Sequence, residues 1–390
     1  MKTLPRPEIT VGIVAADDAS LRPCGRWNIE SGKDKTIFTP LDTDSFMEIE
    51  GVVFGRNFHW EARKNRQYRG SFMLLNTPTS DGFLIINRLP VEDYVRSVVA
   101  SEMHPQAPEE FVKAHAIMSR TWALRKLLCH DAVAEGRHIS DSEIITWDES
   151  DLHNDFTVCS DDHCQRYQGI SDNEERVRKI LDSVEGLILT AANSDLPADA
   201  RFSKCCGGVS ELFSSCWANR EFSYLISVKD PYCDPARLTP EAKKQLHSTI
   251  LHDYDSATPY YDWQVRVSRH LIHANLLKHF GVDKGEILDI RPLQRGVSGR
   301  ITRLLIAGSA GNITVGKELA IRRLLSDSHL YSSNFRITAT DDEGFTLSGQ
   351  GWGHGVGLCQ IGAAVMALEG KSATEILSFY FPTAKIRKIY

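Results

Sequence analysis

Short apolar runs separated by turn residues follow one another along the chain between residues 8 and 90. The runs at 47–54, 71–75 and 82–86 are bounded by Gly, Pro, Asn and Asp. Such runs are typical of strands joined by turns, because these turn residues interrupt regular backbone pairing. We therefore predict a β-rich N-terminal part.

The spacing of apolar residues changes to a helical period at residue 91. Val91, Val95 and Val98 recur at helical intervals, and acidic residues in the first turn suit the positive end of a helix dipole. We expect this helix to end at Pro105. A second helix is predicted from near Pro108 to about residue 128, again with acidic residues in its first turn.

The rest of the chain mixes helical and strand-like patterns. The acid-rich stretch 130–170 is expected to hold little regular structure, and strands return from residue 286. Further predicted elements are helices near 174–184, 239–250, 268–280 and 375–380, and a hairpin of 186–190 with 197–202. This mixture predicts an α+β fold in a single domain of residues 1–390, with residues 235–285 as a candidate inserted lobe.

Charge and composition narrow the classes of function. The chain has 390 residues and a net charge of -6, and no basic block offers several phosphate contacts at once. This argues against a nucleic-acid partner. No apolar run reaches the roughly 18 residues that a membrane span needs, so we expect none. A mildly acidic balance is compatible with a neutral sugar polymer as substrate.

The nine cysteines are an odd number scattered over a large chain, which does not indicate a disulfide framework. Reduced thiols and metal ligation fit better. Residues 1–7 lead into the strand-like run 9–14 without an apolar signal core. The sequence as given therefore points to the cytoplasm, or to the periplasm or the cell exterior if an export signal has been removed.

Glu102 is the first candidate for chemistry. It lies four residues after Val98 and eleven after Val91, which places it on the apolar side of the first predicted helix. A carboxyl group partly withdrawn from water has a raised pKa, as a general acid at neutral pH requires. From periodicity alone, a structural glutamate that turns back to water or pairs with a lysine is the more common case.

Two histidines and two cysteines lie in a span of twelve residues inside the acid-rich stretch: His153, Cys159, His163 and Cys164. Two thiolates and two imidazoles form a closed tetrahedral set for zinc, which predicts a structural ion that pins a polar loop. The spacing is not that of a zinc finger. From the residues alone, a surface loop with incidental polar side chains is an equally good interpretation.

Two glycine-rich segments lie further along the chain. Residues 202–211 (FSKCCGGVSE) follow a predicted strand, and Cys206 there, with His354 as base, is a candidate nucleophile of a cysteine hydrolase, although a packed inert thiol is more common. Residues 351–360 (GWGHGVGLCQ) lack the Gly-Lys-Ser/Thr ending of a phosphate-binding loop. An exposed Trp352 would stack on a sugar ring; the alternative is a strand–helix junction with Trp352 in the core.

These segments together resemble the SpoIID/LytB family of peptidoglycan-acting proteins. Residues 89–103 (LPVEDYVRSVVASEM) are similar to its signature, and 113–124, 159–167 and 351–363 continue it in order. The resemblance implies an SpoIID-like fold with a β-rich N-terminal part, central helices and a zinc-pinned loop. It implies that Glu102 is the catalytic acid and that His153 completes the zinc set. Lys113 corresponds to the family's helix lysine, a catalytic candidate that would position substrate or stabilise the ionised acid; the alternative is an ordinary surface lysine. Substrate contacts are predicted for Arg120, Gln165, Tyr167, Trp352, His354 and Gln360.

The residues that accompany Glu102 favour one reaction class, while a carboxylate from a distant segment that folds in beside Glu102 would leave hydrolysis open. A glycoside hydrolase usually has a second carboxyl within about 5 to 10 Å, whereas Asp93 lies about 13 Å away along the helix axis. A lytic transglycosylase needs one carboxyl group, which protonates the bond between N-acetylmuramic acid and N-acetylglucosamine. It then accepts the proton of the muramoyl C6 hydroxyl, which closes a 1,6-anhydro ring.

Two other functions stay open at this stage. Relatives described as amidase enhancers suggest a non-catalytic module that binds glycan and assists a cell-wall amidase. A cysteine amidase with Cys206 as nucleophile ranks below both. The predicted partners are therefore peptidoglycan glycan strands, including strands without stem peptides, and a cell-wall amidase in the enhancer case.

Overall fold

The computed structural model describes residues 6–56, 61–76, 83–104, 106–129, 136–147, 153–161, 164–172, 174–249 and 260–390. The chain divides into two compact units. Unit 1 contains residues 1–131, 150–200 and 385–390, and unit 2 contains residues 132–149 and 201–384. In the part of the chain that is described, no helix combines the length and apolar character required to cross a membrane.

Strands and helices alternate irregularly along the chain, which confirms the predicted α+β mixture. The strands are β1 (Glu8–Ile13), β2 (Ala15–Cys24), β3 (Trp27–Ser31), β4 (Lys35–Pro40), β5 (Phe46–Phe54), β6 (Ala62–Tyr68), β7 (Ser71–Asn76), β8 (Phe83–Pro90), β9 (Gly136–Ile139), β10 (Glu143–Trp147), β11 (Val158–Cys159), β12 (Leu187–Ala191), β13 (Phe202–Ser203), β14 (Asp262–Ser268), β15 (Ile287–Arg295), β16 (Ile301–Gly308), β17 (Gly311–Gly316), β18 (Phe335–Thr340), β19 (Gly344–Gln350), β20 (Leu358–Cys359) and β21 (Ala384–Lys388). The helices are α1 (Val91–Glu102), α2 (Glu109–Leu128), α3 (Glu174–Asp182), α4 (Phe213–Cys216), α5 (Pro240–Thr249), α6 (Arg269–Asn275), α7 (Glu318–Leu324), α8 (Gln360–Leu368) and α9 (Ala373–Tyr380).

Unit 1 combines a six-stranded sheet, in the order β11-β1-β8-β7-β4-β3, with a three-stranded sheet, β2-β5-β6. The α1 helix continues directly from β8 and buries Tyr94, Val95, Val98 and Val99, the apolar positions that predicted it. It ends at Glu102, with Met103 already in extended backbone. Pro105, the predicted end point, lies outside the described residues. The α2 helix begins after Pro108, as expected, and is buried on nearly every side.

Unit 2 is built on a five-stranded sheet, β15-β16-β17-β10-β9, and a three-stranded sheet, β14-β19-β18. Its core is aliphatic and aromatic, and one cluster of packed residues includes Ile144, Ile272, Leu304, Ile321 and Phe345. The β14 strand, which lies within the predicted lobe 235–285, pairs along its whole length with β19. This segment is therefore part of a sheet of unit 2.

Two local predictions differ from the structure. The stretch 130–170, expected to hold little regular structure, contains the short strands β9, β10 and β11. The β10 strand pairs in parallel with the distant β17 and buries Ile144 completely. The hairpin of 186–190 with 197–202 is reduced to a single bridge between Thr190 and Pro197. Instead, β12 pairs with the C-terminal strand β21, a partner that local sequence does not reveal.

Candidate functional site

Glu102 is the last residue of α1 and its side chain is half-buried. Its Oε1 accepts a hydrogen bond of 3.1 Å from the backbone N–H of Arg166. A backbone donor at a fixed distance orients a carboxyl group more firmly than solvent does. The carboxyl predicted to be partly withdrawn from water is thus held within the protein surface.

The segment 164–170 runs beside α1 and is bonded to it at several points. The amide of Gln168 donates to Ser101 Oγ at 3.2 Å, and Ser97 Oγ donates to the carbonyl of Gly169 at 2.8 Å. The donor that reaches Glu102 therefore belongs to a segment that is hydrogen-bonded to α1 just after Arg166. The position of Glu102 depends on this segment as well as on its own helix.

A cluster formed by His153, Cys159 and Cys164 lies at the start of the same segment. Cys164 Sγ is 3.5 Å from His153 Nε2 and accepts a hydrogen bond of 3.4 Å from the amide of Cys159. The three ligand atoms all lie within 4.8 Å of one another. Two sulfurs and an imidazole nitrogen at these separations fit the donor set of a structural zinc ion. His163, the fourth predicted ligand, lies outside the described residues.

Tyr94 joins this cluster to the helix that carries Glu102. Its hydroxyl donates to Gln165 Oε1 at 3.2 Å. Complete burial, followed by the neighbouring Cys164 and Cys159 thiols, raises the pKa of Tyr94 well above 10. The phenol therefore remains a neutral hydrogen-bond donor, and it fixes the side chain of Gln165, the residue after Cys164.

The two predicted sugar contacts in this segment are buried, since Gln165 and Tyr167 are each 2% exposed. The Tyr167 hydroxyl donates to Asn87 Oδ1 at 2.6 Å, and its ring stacks on Tyr94 with centroids 5.4 Å apart. Among the described residues, Gln165 Nε2 has no hydrogen-bond partner. Tyr167 therefore packs as a core residue, whereas Gln165 retains a donor.

Lys113 lies in the first turns of α2. Its Nζ is 2.7 Å from Glu109 Oε1 and 2.8 Å from Glu110 Oε1. The hydrogen bonds that its ammonium group donates to these two carboxylates raise the pKa of Lys113. Lys113 is thus a positively charged group tied to acidic neighbours on its own helix.

Arg120 has a structural position. Its side chain is fully buried and forms two hydrogen bonds of 2.7 Å with the carboxylate of Glu92. It also donates to the carbonyls of Val184 and Leu187 at 3.1 and 3.0 Å. A guanidinium held in this way joins α1, α2 and the turn before β12, and these contacts occupy the groups that were predicted to meet substrate.

A cavity of about 600 Å³ opens at the first turn of α1, lined by Arg88, Glu92, Asp93 and Arg96 among others. Glu102 lies at the opposite end of this helix of 12 residues. At 1.5 Å per residue the two ends are roughly 15 Å apart. The cavity and the candidate acid are therefore separate features of unit 1.

The glycine-rich segment 351–360 belongs to unit 2. Trp352 is only 7% exposed and packs edge-on against Tyr331, so its expected exposure is wrong. Gln360 is also buried and begins α8. His354 Nδ1 accepts from the amide of Val356 at 3.0 Å, and burial, with the charges of Arg201 and Arg300, lowers the pKa of His354 to about 3. This imidazole is neutral at physiological pH.

Cys206 is 1% exposed, and its sulfur lies 3.3 Å from Asp230 Oδ2 and 3.5 Å from Cys233 Sγ. The described contacts thus pair Cys206 with these two residues, and they give no support to a Cys206–His354 catalytic pair. Cys206 also belongs to a group with Asp230, Cys233 and Cys359 that the sequence did not predict. Asp230 and Cys233 are three residues apart, but Cys206 and Cys359 lie far from them along the chain, so no local signal identifies the whole group.

Comparison with known proteins supports the resemblance seen in the motifs. The family described as Stage II sporulation protein (SpoIID) matches residues 79–190, and a domain of unknown function (DUF8618) matches residues 211–357. Stage II sporulation protein D of Bacillus subtilis (strain 168) is 27% identical over 306 residues, which cover 77% of this chain and 75% of that protein.

Two further relatives extend the comparison. An uncharacterized protein of Brachyspira hyodysenteriae is 27% identical over 332 residues, which cover 85% of this chain and 75% of that protein. A protein named Amidase enhancer, from Bacillus subtilis (strain 168), is 24% identical over 310 residues, which cover 74% of this chain and 39% of the enhancer. The SpoIID match contains Glu102, Lys113 and the whole Cys/His cluster.

Proposed function

Since this chain is a relative of the SpoIID/LytB proteins through its SpoIID domain and its similarity to stage II sporulation protein D, we propose that it is a lytic transglycosylase of peptidoglycan. The names of the relatives support a cell-wall-related role. The proposed reaction cleaves the bond from N-acetylmuramic acid to N-acetylglucosamine, leaves a 1,6-anhydro end, and uses Glu102 as acid and base. The substrate class includes glycan without stem peptides.

The observation that carries the proposal is the setting of Glu102. The half-buried carboxyl group at the end of α1 accepts a hydrogen bond of 3.1 Å from the Arg166 amide. The Cys/His cluster, whose ligand atoms fit a zinc site, begins the segment that contains this amide. This donor orients the Glu102 carboxyl group, to which we assign the proton transfer. Proton transfer of this kind contributes about 100- to 10,000-fold to a rate.

The chemistry requires two proton movements at one group. The protonated Glu102 carboxyl donates to the glycosidic oxygen as the bond to the muramoyl C1 breaks, and the N-acetylglucosamine hydroxyl leaves. The resulting carboxylate accepts the proton of the muramoyl C6 hydroxyl, whose oxygen bonds to C1 and closes the anhydro ring. Glu102 returns to its protonated form and water is not consumed, which explains how one carboxyl can suffice.

In this proposal, other predicted residues of unit 1 position Glu102 or stabilise its ionised form. Zinc on His153, Cys159, Cys164 and His163 would fix the segment that contains Arg166, as structural zinc sites fix loops. Gln165 offers its Nε2 donor beside this cluster. The positive charge of Lys113 would stabilise the ionised acid between the two steps. Trp352, His354 and Gln360 belong to unit 2, and the proposed reaction assigns them no step.

Mass spectrometry of digested, peptide-free glycan tests the proposal. Anhydro-muramoyl ends should accumulate with the wild-type chain and vanish with Glu102→Gln, which keeps the shape of the side chain but cannot cycle a proton. Glu175→Gln, on the exposed face of α3, is the matched control and should behave like the wild type. Reducing muramic ends would instead identify a hydrolase and refute the transglycosylase.

An amidase enhancer is the second candidate, and the similarity to the protein of that name favours it. In that case the chain binds glycan and leaves it intact, and Glu102→Gln binds as the wild type does. The same digestion separates the two functions if a binding assay on the peptide-free glycan accompanies it. Retained binding with unchanged glycan ends supports the enhancer.

A further inference from the structure

Three cysteines and one aspartate converge in unit 2, at a place that the proposed reaction does not use. Cys206 follows β13, Asp230 and Cys233 lie in the loop after α4, and Cys359 ends β20. The parallel pairing of β13 with β20 sets Ser203 opposite Cys359 and so brings the first and last segments together. All four side chains are at most 1% exposed.

The sulfurs are close but not bonded. Cys206 Sγ and Cys233 Sγ are 3.5 Å apart, whereas a disulfide bond is about 2.0 Å long. Two thiolates on one tetrahedral zinc ion, at about 2.3 Å each, lie roughly 3.8 Å from one another. The four ligand atoms of the group, three Sγ and a carboxylate oxygen, all lie within 4.8 Å of one another. The spacing matches a shared ion better than a covalent bridge.

Backbone amides point at two of the sulfurs. Gly208 N donates to Cys233 Sγ at 3.2 Å, and Cys206 N and Gly362 N donate to Cys359 Sγ at 3.3 and 3.4 Å. Cys359 also caps the N-terminus of α8, where the helix dipole favours a negative group. Groups that hydrogen-bond to the ligand atoms in this way are typical outer-shell partners in metal sites.

The carboxylate of Asp230 is oriented by its own partners. Tyr380 Oη donates to Asp230 Oδ2 at 2.9 Å, and Tyr232 N donates to Oδ1 at 2.9 Å. Among the described residues, no Lys or Arg forms an ion pair with Asp230. A buried carboxylate among thiols is costly without a positive partner, and a metal cation would supply that charge.

Gly362 is required by this arrangement. A Cβ at this position would lie 2.2 Å from Tyr380 Oη and 2.3 Å from Asp230 Oδ2. Glycine therefore lets the first turn of α8 approach the Asp230–Tyr380 pair. Any larger residue at position 362 would therefore collide with the side chains that surround the cluster.

We propose that Cys206, Asp230, Cys233 and Cys359 bind a single zinc ion in unit 2. Sulfur-rich ligands favour zinc over magnesium or calcium, and four protein ligands with no solvent access describe a closed structural site. The ion would tie the turn after β13, the loop 230–233 and the start of α8 into one piece. This site is independent of the Cys/His cluster in unit 1 and of the proposed glycan reaction.

The test measures zinc in the full-length chain, purified without added metal, in a Cys159→Ser background that disables the unit 1 cluster. About one equivalent of zinc should remain and should disappear when Cys233→Ser is added. Cys216→Ser is the matched control, because Cys216 is equally buried in unit 2 and its sulfur contacts the carbonyl of His354. That variant should keep the zinc.

A second measurement protects the test against a misfolded variant. Cobalt(II) replaces zinc in the Cys159→Ser chain, and the intensity of the sulfur-to-cobalt charge-transfer band should correspond to three thiolates. Cys233→His, which retains a zinc ligand, should keep the metal with a weaker band. A chain that holds no metal in the Cys159→Ser background, or that shows a native Cys206–Cys233 disulfide by peptide mapping, overturns the proposal.

Discussion

The amide of Arg166 donates a hydrogen bond of 3.1 Å to Oε1 of Glu102, a residue 64 positions earlier in the chain. The helix α1 contributes the carboxyl group, and the segment beside the Cys/His cluster contributes the donor. The orientation of the candidate acid therefore depends on two elements at once. Changes to either one should alter the reaction, and they should do so in distinguishable ways.

Glu102→Asp tests the position of the carboxyl group. The shorter side chain keeps the acid but retracts it by about 1 Å or more, and a misplacement of this size costs roughly 100-fold in rate. We expect anhydro-muramoyl ends to form about 100-fold more slowly, with an unchanged melting temperature. Glu175→Asp is the control for the same change on the surface. A Glu102→Asp variant that keeps more than half of the wild-type rate would rule out a positioned acid.

Cys159→Ser tests whether the Cys/His cluster supports Glu102. We expect this variant to lose about one equivalent of zinc and to melt at a lower temperature, because closed zinc sites contribute directly to folding. Activity should fall as well, since the segment that presents the Arg166 amide begins at Cys164.

The control for this loss is Cys24→Ser, also in unit 1. The Cys24 thiol is partly exposed and contacts the carbonyl of Arg22. Its replacement should leave the zinc content, the melting temperature and the rate unchanged. If Cys159→Ser and the wild type contained equal amounts of zinc, the Cys/His cluster would not be a zinc site.

Arg120→Met tests the structural role of the buried ion pair. The change removes the guanidinium partner of Glu92, whose side chain is 11% exposed, and leaves a mostly buried carboxylate without that positive charge. Breaking one side of such a pair typically costs about 3–5 kcal/mol. We expect urea unfolding to show a loss of this size in Arg120→Met, and a partial recovery in the double variant Arg120→Met/Glu92→Gln.

Arg178→Met is the matched control, because Arg178 pairs with Glu175 on an exposed face of α3. Exposed pairs contribute about 1 kcal/mol or less. If Arg120→Met were no more destabilising than Arg178→Met, Arg120 would be available for substrate, as the sequence alone suggested.

The candidate acid and its helix could be predicted because their signals are local. Val91, Val95 and Val98 define the apolar side of α1, and the short interval to Glu102 fixes where its carboxyl group lies. The compact spacing of His153, Cys159 and Cys164 likewise identified a group that the fold keeps together. In each case the residues lie within a few turns or one loop.

The features of the fold and of the candidate sites that could not be predicted depend on pairings between distant segments. Cys206 and Cys359 meet because β13 pairs with β20, and β12 is completed by the C-terminal strand β21. No period or motif connects such residues before the chain folds. The sequence also did not decide between an exposed and a buried Trp352, because its neighbour Tyr331 lies in another segment, between α7 and β18.

Lowering the pH should weaken the Glu92–Arg120 pair, and the shift in the pKa of Glu92 determines how the contribution of this pair to stability depends on pH. Burial alone would raise this pKa, but hydrogen bonds and charge from Arg120, with bonds from Tyr390 and Gly186, bring it below its ordinary 4.5. A lowered folded-state pKa contributes stability that is complete above the unfolded value and is lost as the pH falls through the folded one. The free energy of unfolding of the wild type should therefore exceed that of Glu92→Gln at pH 7, and the difference should shrink as the pH falls below about 4.5. Urea titrations of both proteins between neutral and acidic pH measure this difference, and the other carboxyl groups cancel because the two chains share them. A difference that stays constant or grows on acidification would show that Glu92 is not held ionised by Arg120.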